Sequence, residues 1–399
     1  MRTLRGVPGG RPPGLALTSA GRFVAIVAVA SLAAAYALGY PRVAAVGIGG
    51  VVALAAGFGW VARRPQVIMT REIFPTRVSR GEPAVGMLTI MNASRVAGLR
   101  IEARETFGDA VIAIPVPYLR AGARREVGYQ LPTGRRGIIG VGPLNWERAD
   151  ILGLVRRQYS LAGQELLYVH PKTHEFALSA ALRAQRWDSS TSDAAPDGTI
   201  TFHTLREYVP GDDLRFIHWR SSAKLDTLMV RRNIDVSLPM TTVLLVTGTG
   251  AYAGAEPFEE AVEVAASTVY AAASERLPAK LLTSAGDVIT SSGGHEDVGR
   301  FLDFLAAVQL CEVTGLGVAA ERLERGEAGG VLVVAAGMLD ADDMVTLRRI
   351  SARYDEVVVT LLGSDASPPD SVVTDLAVTV LPVASASQFC ARWGELVRR

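Results

Sequence analysis

The first 64 residues contain no acidic side chain, although seven arginines lie among them. Since the formal net charge of the whole chain is +1, the remaining 335 residues carry a net charge of 1 − 7 = −6. A mildly acidic soluble part lacks the positive surface with which proteins bind phosphate backbones. The charge distribution therefore excludes nucleic acid as an expected partner.

Cysteine is scarce, because Cys311 and Cys390 are the two that 399 residues contain. Two thiols so far apart lack the clustered spacing that is typical of a structural metal site. A disulfide between them is one possibility, but thiols of a cytosolic domain stay reduced. We expect two free, buried thiols.

Charge of either sign is missing from two long runs, residues 23–40 and 43–62, which Pro41-Arg42 separates. Each run is long enough to cross about 30 Å of hydrocarbon as a helix, and the short break predicts a transmembrane hairpin. A cleaved signal peptide is the alternative for the first run, but the second run follows too closely to favour it.

The flanks of these runs predict their orientation. Arginines precede the first run and follow the second, so the positive-inside rule places both flanks in the cytoplasm. No acid, histidine or lysine lies within either run, which leaves no group for a proton or ion pathway. We expect an anchor in the inner or plasma membrane that contacts lipid through two helices.

The apolar pattern divides the chain into further segments. Short alternating runs between turn residues predict a β-sandwich, and the strand–helix alternation that comes later predicts an α/β domain with a mainly parallel, doubly wound sheet. The expected segments are a disordered cytoplasmic N-terminus (1–22), the helical hairpin (23–62), the β-sandwich (65–171), a helix over 173–187 with a mobile linker (172–199 together), a signature segment (200–232) and the α/β domain (233–399).

Residues 205–232 form the densest run of charged and aromatic side chains in the chain. Alternation before Pro210-Gly211 predicts a strand that ends in a turn, followed by one or two helical turns and a second strand. The residues that we single out as signature or interaction residues are Arg206, Glu207, Tyr208, Pro210, Gly211, Asp212, Asp213, Arg215, His218 and Trp219.

This run resembles the signature of the bacterial domain-of-unknown-function 58 (DUF58) family, R-E-Y-x-P-G-D-D-x-R-x-I-D/H-W. His218 stands where the family commonly has Asp, and Lys224 where it commonly has Arg. Residues 150–154 resemble another landmark of the family but lack its proline. The resemblance implies a membrane-anchored β-sandwich followed by a von Willebrand factor A-like domain, and it brings no known biochemical activity.

Domains of the von Willebrand A type often bind a metal through Asp-x-Ser-x-Ser after their first strand. The corresponding loop here contains Thr247, Gly248, Thr249 and Gly250, and it has no carboxylate. Hydroxyl groups alone hold a divalent cation poorly, so we expect a degenerate site without metal. No Gly-Lys-Ser/Thr follows these glycines, so we expect neither a phosphate loop nor a cofactor.

Three interpretations of the signature remain open. It is a network of ion pairs and caps that joins the two domains with Trp219 packed at the seam, or a surface that binds a partner, or a catalytic site. The catalytic interpretation has candidate acid–base groups but no recognisable nucleophile. Those candidate groups are His203, Glu207, Asp212, Asp213, His218 and Asp226.

We therefore expect a membrane-anchored, non-enzymatic interaction or scaffold protein. The resemblance implies a partner, a MoxR-type AAA+ ATPase that assembles or activates protein complexes. The alternative is a membrane-bound hydrolase that uses Asp212, Asp213 and His218, and a passive structural spacer is a third reading.

Overall fold

The computed structural model describes residues 14–63, 65–161, 163–178, 200–208, 217–225, 227–235, 240–294, 296–312, 315–326, 329–363 and 378–396. The chain forms two compact units, Met1–His170 and Pro171–Arg399. The helices of the described residues are α1 (Ser19–Leu38), α2 (Pro41–Ala62), α3 (Trp219–Leu225), α4 (Ala255–Ser274), α5 (Asp297–Ala307), α6 (Gly317–Arg325), α7 (Ala341–Ser351) and α8 (Ala386–Leu396).

The strands of the described residues follow in chain order. They are β1 (Leu15–Leu17), β2 (Val67–Phe74), β3 (Arg77–Ser79), β4 (Ala84–Asn92), β5 (Glu102–Phe107), β6 (Ala110–Ile114), β7 (Arg124–Leu131), β8 (Gly137–Ala149), β9 (Val155–Leu161), β10 (Glu165–His170), β11 (Ile200–Glu207), β12 (Met229–Asp235), β13 (Thr241–Leu245), β14 (Ala279–Thr283), β15 (Val288–Ser291), β16 (Val331–Ala336), β17 (Glu356–Leu362) and β18 (Thr379–Val383).

Two apolar helices open the first unit, as the sequence predicts. Both are long and apolar enough to cross a membrane by length and composition. Thr18 caps α1 by accepting the backbone N–H of Gly21 at 3.0 Å, so the helix begins four residues before the charge-free run. Gly39 ends it in a left-handed conformation with φ 70°. The helices pack closely, because a Cβ at Gly47 would lie 2.6 Å from Leu32 Cγ.

The rest of the first unit is rich in sheet. One sheet has the order β2-β4-β7, and the other has β1-β9-β8-β10-β3, with β5 paired to β8 and β6 paired to β5. Burial alternates along β4, as expected for a strand with one face in a core. A single buried cluster draws side chains from both sheets, including Leu88 and Leu144. Residues 15–17, expected to be disordered, form β1 and pair with β9.

A buried polar network joins the two sheets. Arg71 on β2 bonds Glu105 on β5 at 2.7 Å, and the hydroxyl of Tyr129 on β7 donates to the same carboxylate at 2.8 Å. Burial raises the pKa of Glu105 above its ordinary value despite both partners. The network fixes how the sheets face each other, since a polar group left unpaired here would be costly.

The second unit contains a six-stranded sheet with the order β15-β14-β13-β16-β17-β18. Its described strands are parallel except for β15, which pairs antiparallel with β14. β13 and β16 are buried along their whole length, as expected for strands that helices cover on both faces. One core cluster includes side chains of α4, α5 and α8, and another includes side chains of α6 and α7.

Some local predictions differ from the structure. The described part of the expected helix over 173–187, residues 173–178, is not helical. The backbone N–H of Leu178, which would bond residue 174 in a helix, bonds the Glu275 side chain instead, and that of His174 bonds Ser267. The remainder of that helix and the linker to residue 199 lie outside the described residues. The sequence analysis did not predict β15 or α6.

Candidate functional site

The signature connects two antiparallel strands, β11 and β12. Tyr208, which follows β11, donates its backbone N–H to Leu228 at 2.7 Å. His218 donates its own to Met229 at 2.8 Å. Both ends of the central signature are therefore bonded to consecutive residues at the base of this hairpin.

Several other predicted site residues lie partly or wholly outside the described residues. Arg206 and Glu207 end β11, but their side chains lie outside the described set. The residues that lie wholly outside it are Pro210, Gly211, Asp212, Asp213, Arg215 and Asp226. The ion-pair network expected among these residues stays a prediction.

His218 has a definite local role at the start of α3. Its Nδ1 accepts the backbone N–H of Ser221 at 3.2 Å and lies 2.8 Å from the Ser221 hydroxyl. That is the bond of an N-cap side chain, and Asp is a favoured residue at such a position. The cap therefore gives a physical reason why His218 can stand where the signature commonly has Asp.

Ser222 fastens the same turn to β12. Its hydroxyl donates to the carbonyl of His218 at 3.1 Å and accepts the backbone N–H of Met229 at 2.8 Å. Ser222, Met229 and Ile217 are all buried. The first turn of α3 is thus held by side chains of its own and by the adjoining strand.

The side chain of Trp219, on the same turn, is exposed to solvent. Its side chain is 68% exposed, and neighbouring Leu228 is also exposed. The expectation that Trp219 packs at a seam between the two domains concerns how the two units meet, and it stays a prediction. Within its own unit, the indole is held on a fixed turn and is open to solvent.

The catalytic interpretation of the signature stays a prediction, because Asp212, Asp213 and Asp226 lie outside the described residues. Of the candidate groups, His218 has a described side chain, and its Nδ1 accepts the backbone N–H of Ser221. In the part of the chain that the structure describes, no group of three His, Cys, Asp or Glu side chains is placed to hold a metal ion.

The degenerate metal-site loop follows β13, at the point where the strand order reverses between β13 and β16. This switch point is where open α/β sheets commonly bind ligands. Here the loop is bonded to neighbouring segments of the chain. The buried Thr247 bonds Ser284 through both its backbone N–H and its hydroxyl, each at 2.9 Å. Gly248 pairs with Cys311 as an isolated parallel bridge, and Thr249–Ala251 forms a short 3-10 helix that includes Gly250.

The cysteines differ in their surroundings. Both are free, but Cys311 is only half-buried, which corrects the expectation of two buried thiols. Cys311 approaches the Thr247 hydroxyl at 3.3 Å. Burial raises the pKa of the Cys390 thiol to about 11, so Cys390 stays protonated at neutral pH.

The sequence analysis missed a third feature, the junction between the apolar helices and the sheets. Arg157 donates to the carbonyl of Ala62 at 3.1 Å, and Arg148 donates to that of Arg63 at 3.2 Å. Arg148 also lies over the Trp60 ring at 5.3 Å. Two arginines of the sheet-rich part of this unit therefore satisfy carbonyls at the end of α2 that have no partner within the helix.

Part of the chain matches the model of a known protein family. Residues 204–374 match the family described as protein of unknown function DUF58. The DUF58 match begins within β11, includes the signature and ends after β17. It confirms the resemblance that the signature indicates, and it names no activity or partner.

Other comparisons are less informative. No curated protein matches the chain significantly. Among solved structures, a Niemann-Pick type C2 protein from the Japanese carpenter ant matches with 10% sequence identity and a TM-score of 0.15. That match covers 23% of this chain and 86% of the other, and at such a score it carries no argument.

Proposed function

We propose that this protein is a membrane-anchored, non-enzymatic interaction protein whose signature docks a protein partner through Trp219. The observation that carries the proposal is the exposed indole on a turn that His218 and Ser222 hold in place. Preorganisation matters here, because a fixed anchor loses little conformational entropy when a partner covers it.

The anchor is the pair of apolar helices, whose length and composition are consistent with a membrane span. The start of α1 and the end of α2 both contact the same β-sandwich, which supports a hairpin with both flanks on one side. The arginines on those flanks support the cytoplasmic side of the inner or plasma membrane.

The partner class is a MoxR-type AAA+ ATPase. Its support is the resemblance of the signature to the DUF58 family, and the exposed indole supplies a surface on which such a protein would dock. In this role the protein holds the ATPase at the membrane, where the pair assembles or activates other protein complexes.

A binding experiment with the full chain tests the proposal. The purified, detergent-solubilised protein is titrated with a MoxR-type ATPase from the same organism, with and without nucleotide. Truncating a central interface Trp typically costs about 2 kcal/mol or more, so Trp219→Ala should weaken binding about 30-fold. Because Trp219 is exposed, its replacement should leave the melting temperature unchanged.

Two further variants make the outcome specific. Met338→Ala removes another side chain that is 54% exposed, at the carboxyl edge of the six-stranded sheet, and it should not affect binding. His218→Ala should weaken the cap by about 1 kcal/mol and reduce binding, whereas His218→Asp should restore both. Loss of binding in Met338→Ala but not in Trp219→Ala would move the docking surface to the sheet edge.

A further inference from the structure

The turn between β8 and β9 exposes two large apolar side chains beside the apolar helices. Ile151 is 83% exposed and Leu152 is 64% exposed. They are consecutive residues at the tip of the turn, which Gly153 completes with φ 69°. Single exposed apolar residues are ordinary on protein surfaces, but an adjacent pair next to a membrane anchor requires an explanation.

The position of this turn along α2 follows from its contacts. Arg157 on β9 bonds the carbonyl of Ala62 at the end of α2. Val155, two residues closer to the tip, lies beside Gly57, since a Cβ there would be 3.2 Å from Val155 Cγ2. Gly57 precedes the end of α2 by five residues, or about 7 Å at 1.5 Å per residue. The strand therefore runs alongside the apolar helix, and the tip lies farther from Ala62 than Arg157 does.

The residues that follow the tip are buried against both helices. Leu154 and Val155 form a buried cluster with Val61 of α2. Side chains from deeper in the helices also pack on this cluster, among them Val24 of α1 and Leu54 of α2. A turn that reaches these positions reaches the level at which the helices themselves are surrounded by lipid.

The backbone of the turn is prepared for an apolar medium. The buried Asp150 carboxylate accepts the N–H of Leu152 at 3.0 Å and that of Val155 at 2.7 Å. The Asp150 carbonyl accepts the N–H of Gly153 at 3.1 Å. Thr18 donates its hydroxyl to the carbonyl of Gly153 at 2.6 Å and its backbone N–H to that of Leu154 at 3.0 Å. Backbone groups without such partners would be costly to place in lipid.

Polar and aromatic side chains lie beside the tip, near the end of α2. Ile151 of the tip lines a cavity of about 590 Å³ together with Trp60 and with charged side chains that include Arg148 and Arg156. Trp and Arg are the residues that favour the headgroup region of a bilayer. These neighbours place the tip at the boundary between the headgroups and the acyl chains.

We propose that the Ile151–Leu152 tip inserts just below the headgroups, into the outer acyl region of the bilayer leaflet that surrounds the start of α1 and the end of α2, as a third membrane contact. This inference rests on the proposed membrane anchor. It assigns the occupant of the exposed apolar pair as phospholipid, because the pair is continuous with the surface of the spanning helices. The β-sandwich is then held against the membrane at three points.

Depth-dependent quenching in liposomes tests the insertion. The full chain, with Cys311→Ser and Cys390→Ala, receives one cysteine by Leu152→Cys and is labelled with an environment-sensitive nitrobenzoxadiazole dye. It is reconstituted into phosphatidylcholine–phosphatidylglycerol vesicles that contain lipids brominated high or low on the acyl chain. We expect blue-shifted emission and strong quenching by bromines near the glycerol end.

Two matched positions control the experiment. Val111→Cys places the dye at another site that is 64% exposed, in the β5–β6 hairpin, whose Phe107 pairs with the far part of β8. It should emit as in water and resist quenching. Val29→Cys reports the middle of α1, where the side chain is 67% exposed, and should be quenched by deep bromines.

The outcomes separate the inference from the anchor on which it rests. Quenching at 29 and 152 but not at 111 supports the insertion. Quenching at 29 alone overturns the insertion and leaves the anchor standing. Absence of quenching at 29 would overturn the anchor and the insertion together.

Discussion

In two loops of this molecule, polar side chains accept backbone N–H groups, but the two loops differ in what they present to solvent. In the β8–β9 turn, Asp150 within the turn accepts backbone N–H groups, and the apolar side chains at the tip face outward. In the loop after β13, the N–H of Thr247 bonds Ser284 at the end of the next strand, and Cys311 pairs with the backbone. The first loop is bonded chiefly through its own Asp150, with Thr18 as a further partner, and presents its side chains, whereas the second is bonded by neighbouring segments at the switch point.

The difference shows where contacts with other molecules should be sought. A loop whose backbone is bonded largely by its own polar residue can leave its other side chains for a partner, as the β8–β9 turn and the capped start of α3 do. In the loop after β13, by contrast, Thr247 and Gly248 are buried and bonded to neighbouring segments. The switch point of the six-stranded sheet, which is a common ligand site in such folds, is closed in this way.

The largest effect is expected from Asp150→Ala, which removes the internal acceptor of the first loop. Hydrogen bonds to a charged acceptor contribute about 1.5–3 kcal/mol, so the amides of Leu152 and Val155 should exchange about 100-fold faster. Hydrogen–deuterium exchange of the full chain in detergent measures this. Asp150→Asn keeps one acceptor oxygen and should show a smaller change, and equal protection in wild type and Asp150→Ala would mean that the turn is held by its neighbours after all.

An intermediate effect is expected when the second loop loses its pair of hydroxyls. Ser284→Ala leaves the buried N–H of Thr247 without its acceptor and should lower the free energy of unfolding by about 1–2 kcal/mol. Thr247→Val should cost about 1 kcal/mol, and the double variant less than the sum, because the two side chains share a bond. Urea denaturation of the detergent-solubilised chain measures the free energy of unfolding of all four proteins in this double-mutant cycle. Strict additivity would show that the two hydroxyls act independently.

The smallest effect is expected at Asp343, a carboxylate on the same edge of the sheet as the second loop. Burial, with the neighbouring Asp340 charge, raises the pKa of Asp343 above its ordinary 3.8. The favourable contribution of its protonated form is complete below pH 3.8 and is lost as pH rises through the folded-state pKa. Asp343→Asn should therefore stabilise the protein at neutral pH, with the gain shrinking toward pH 3.8.

Asp343 accepts the N–H of Leu316 at 3.0 Å, and an Asn oxygen at the same position can still accept it. Asp343→Asn therefore removes the charge and keeps the hydrogen bond. Melting temperatures of both proteins across the acid range measure the effect. A destabilised Asp343→Asn at neutral pH would show that this edge needs its charge, as the β8–β9 turn does.

Much of the architecture could be predicted from composition and periodicity. Charge-free runs identify the two apolar helices, and the run from Thr242 to Val246 predicts a buried strand, which the structure has at Thr241–Leu245. The ends of these helices are harder to predict from the sequence, because charge patterns indicate where an apolar environment ends rather than where the helical hydrogen bonds end. The start of α1 depends on the Thr18 cap, which lies before the charge-free run. The short helix α6 has its buried stripe of small residues, such as Ala319 and Ala320, within a polar stretch.

The candidate sites were harder to predict for a different reason. The signature indicates that His218 and Trp219 matter, but neither the cap nor the exposure of the indole is visible in one sequence. The bonds from Arg157 to Ala62 and from Arg148 to Arg63 join residues 95 and 85 positions apart. Local pattern contains no information about such pairs, so the junction between helices and sheets emerges only from the folded chain.

Strand β1 has a consequence for how the protein can be made. It pairs along β9 at the edge of the larger sheet and leads directly into α1, which Thr18 begins. Shortening the chain to start at Gln66 would remove that edge strand together with the Val61 cover over Leu154 and Val155. The exposed edge of β9 would then be open to pairing with other chains. We therefore expect a soluble fragment without the anchor to self-associate, and insertion of the hairpin to be a step in completing the sheet.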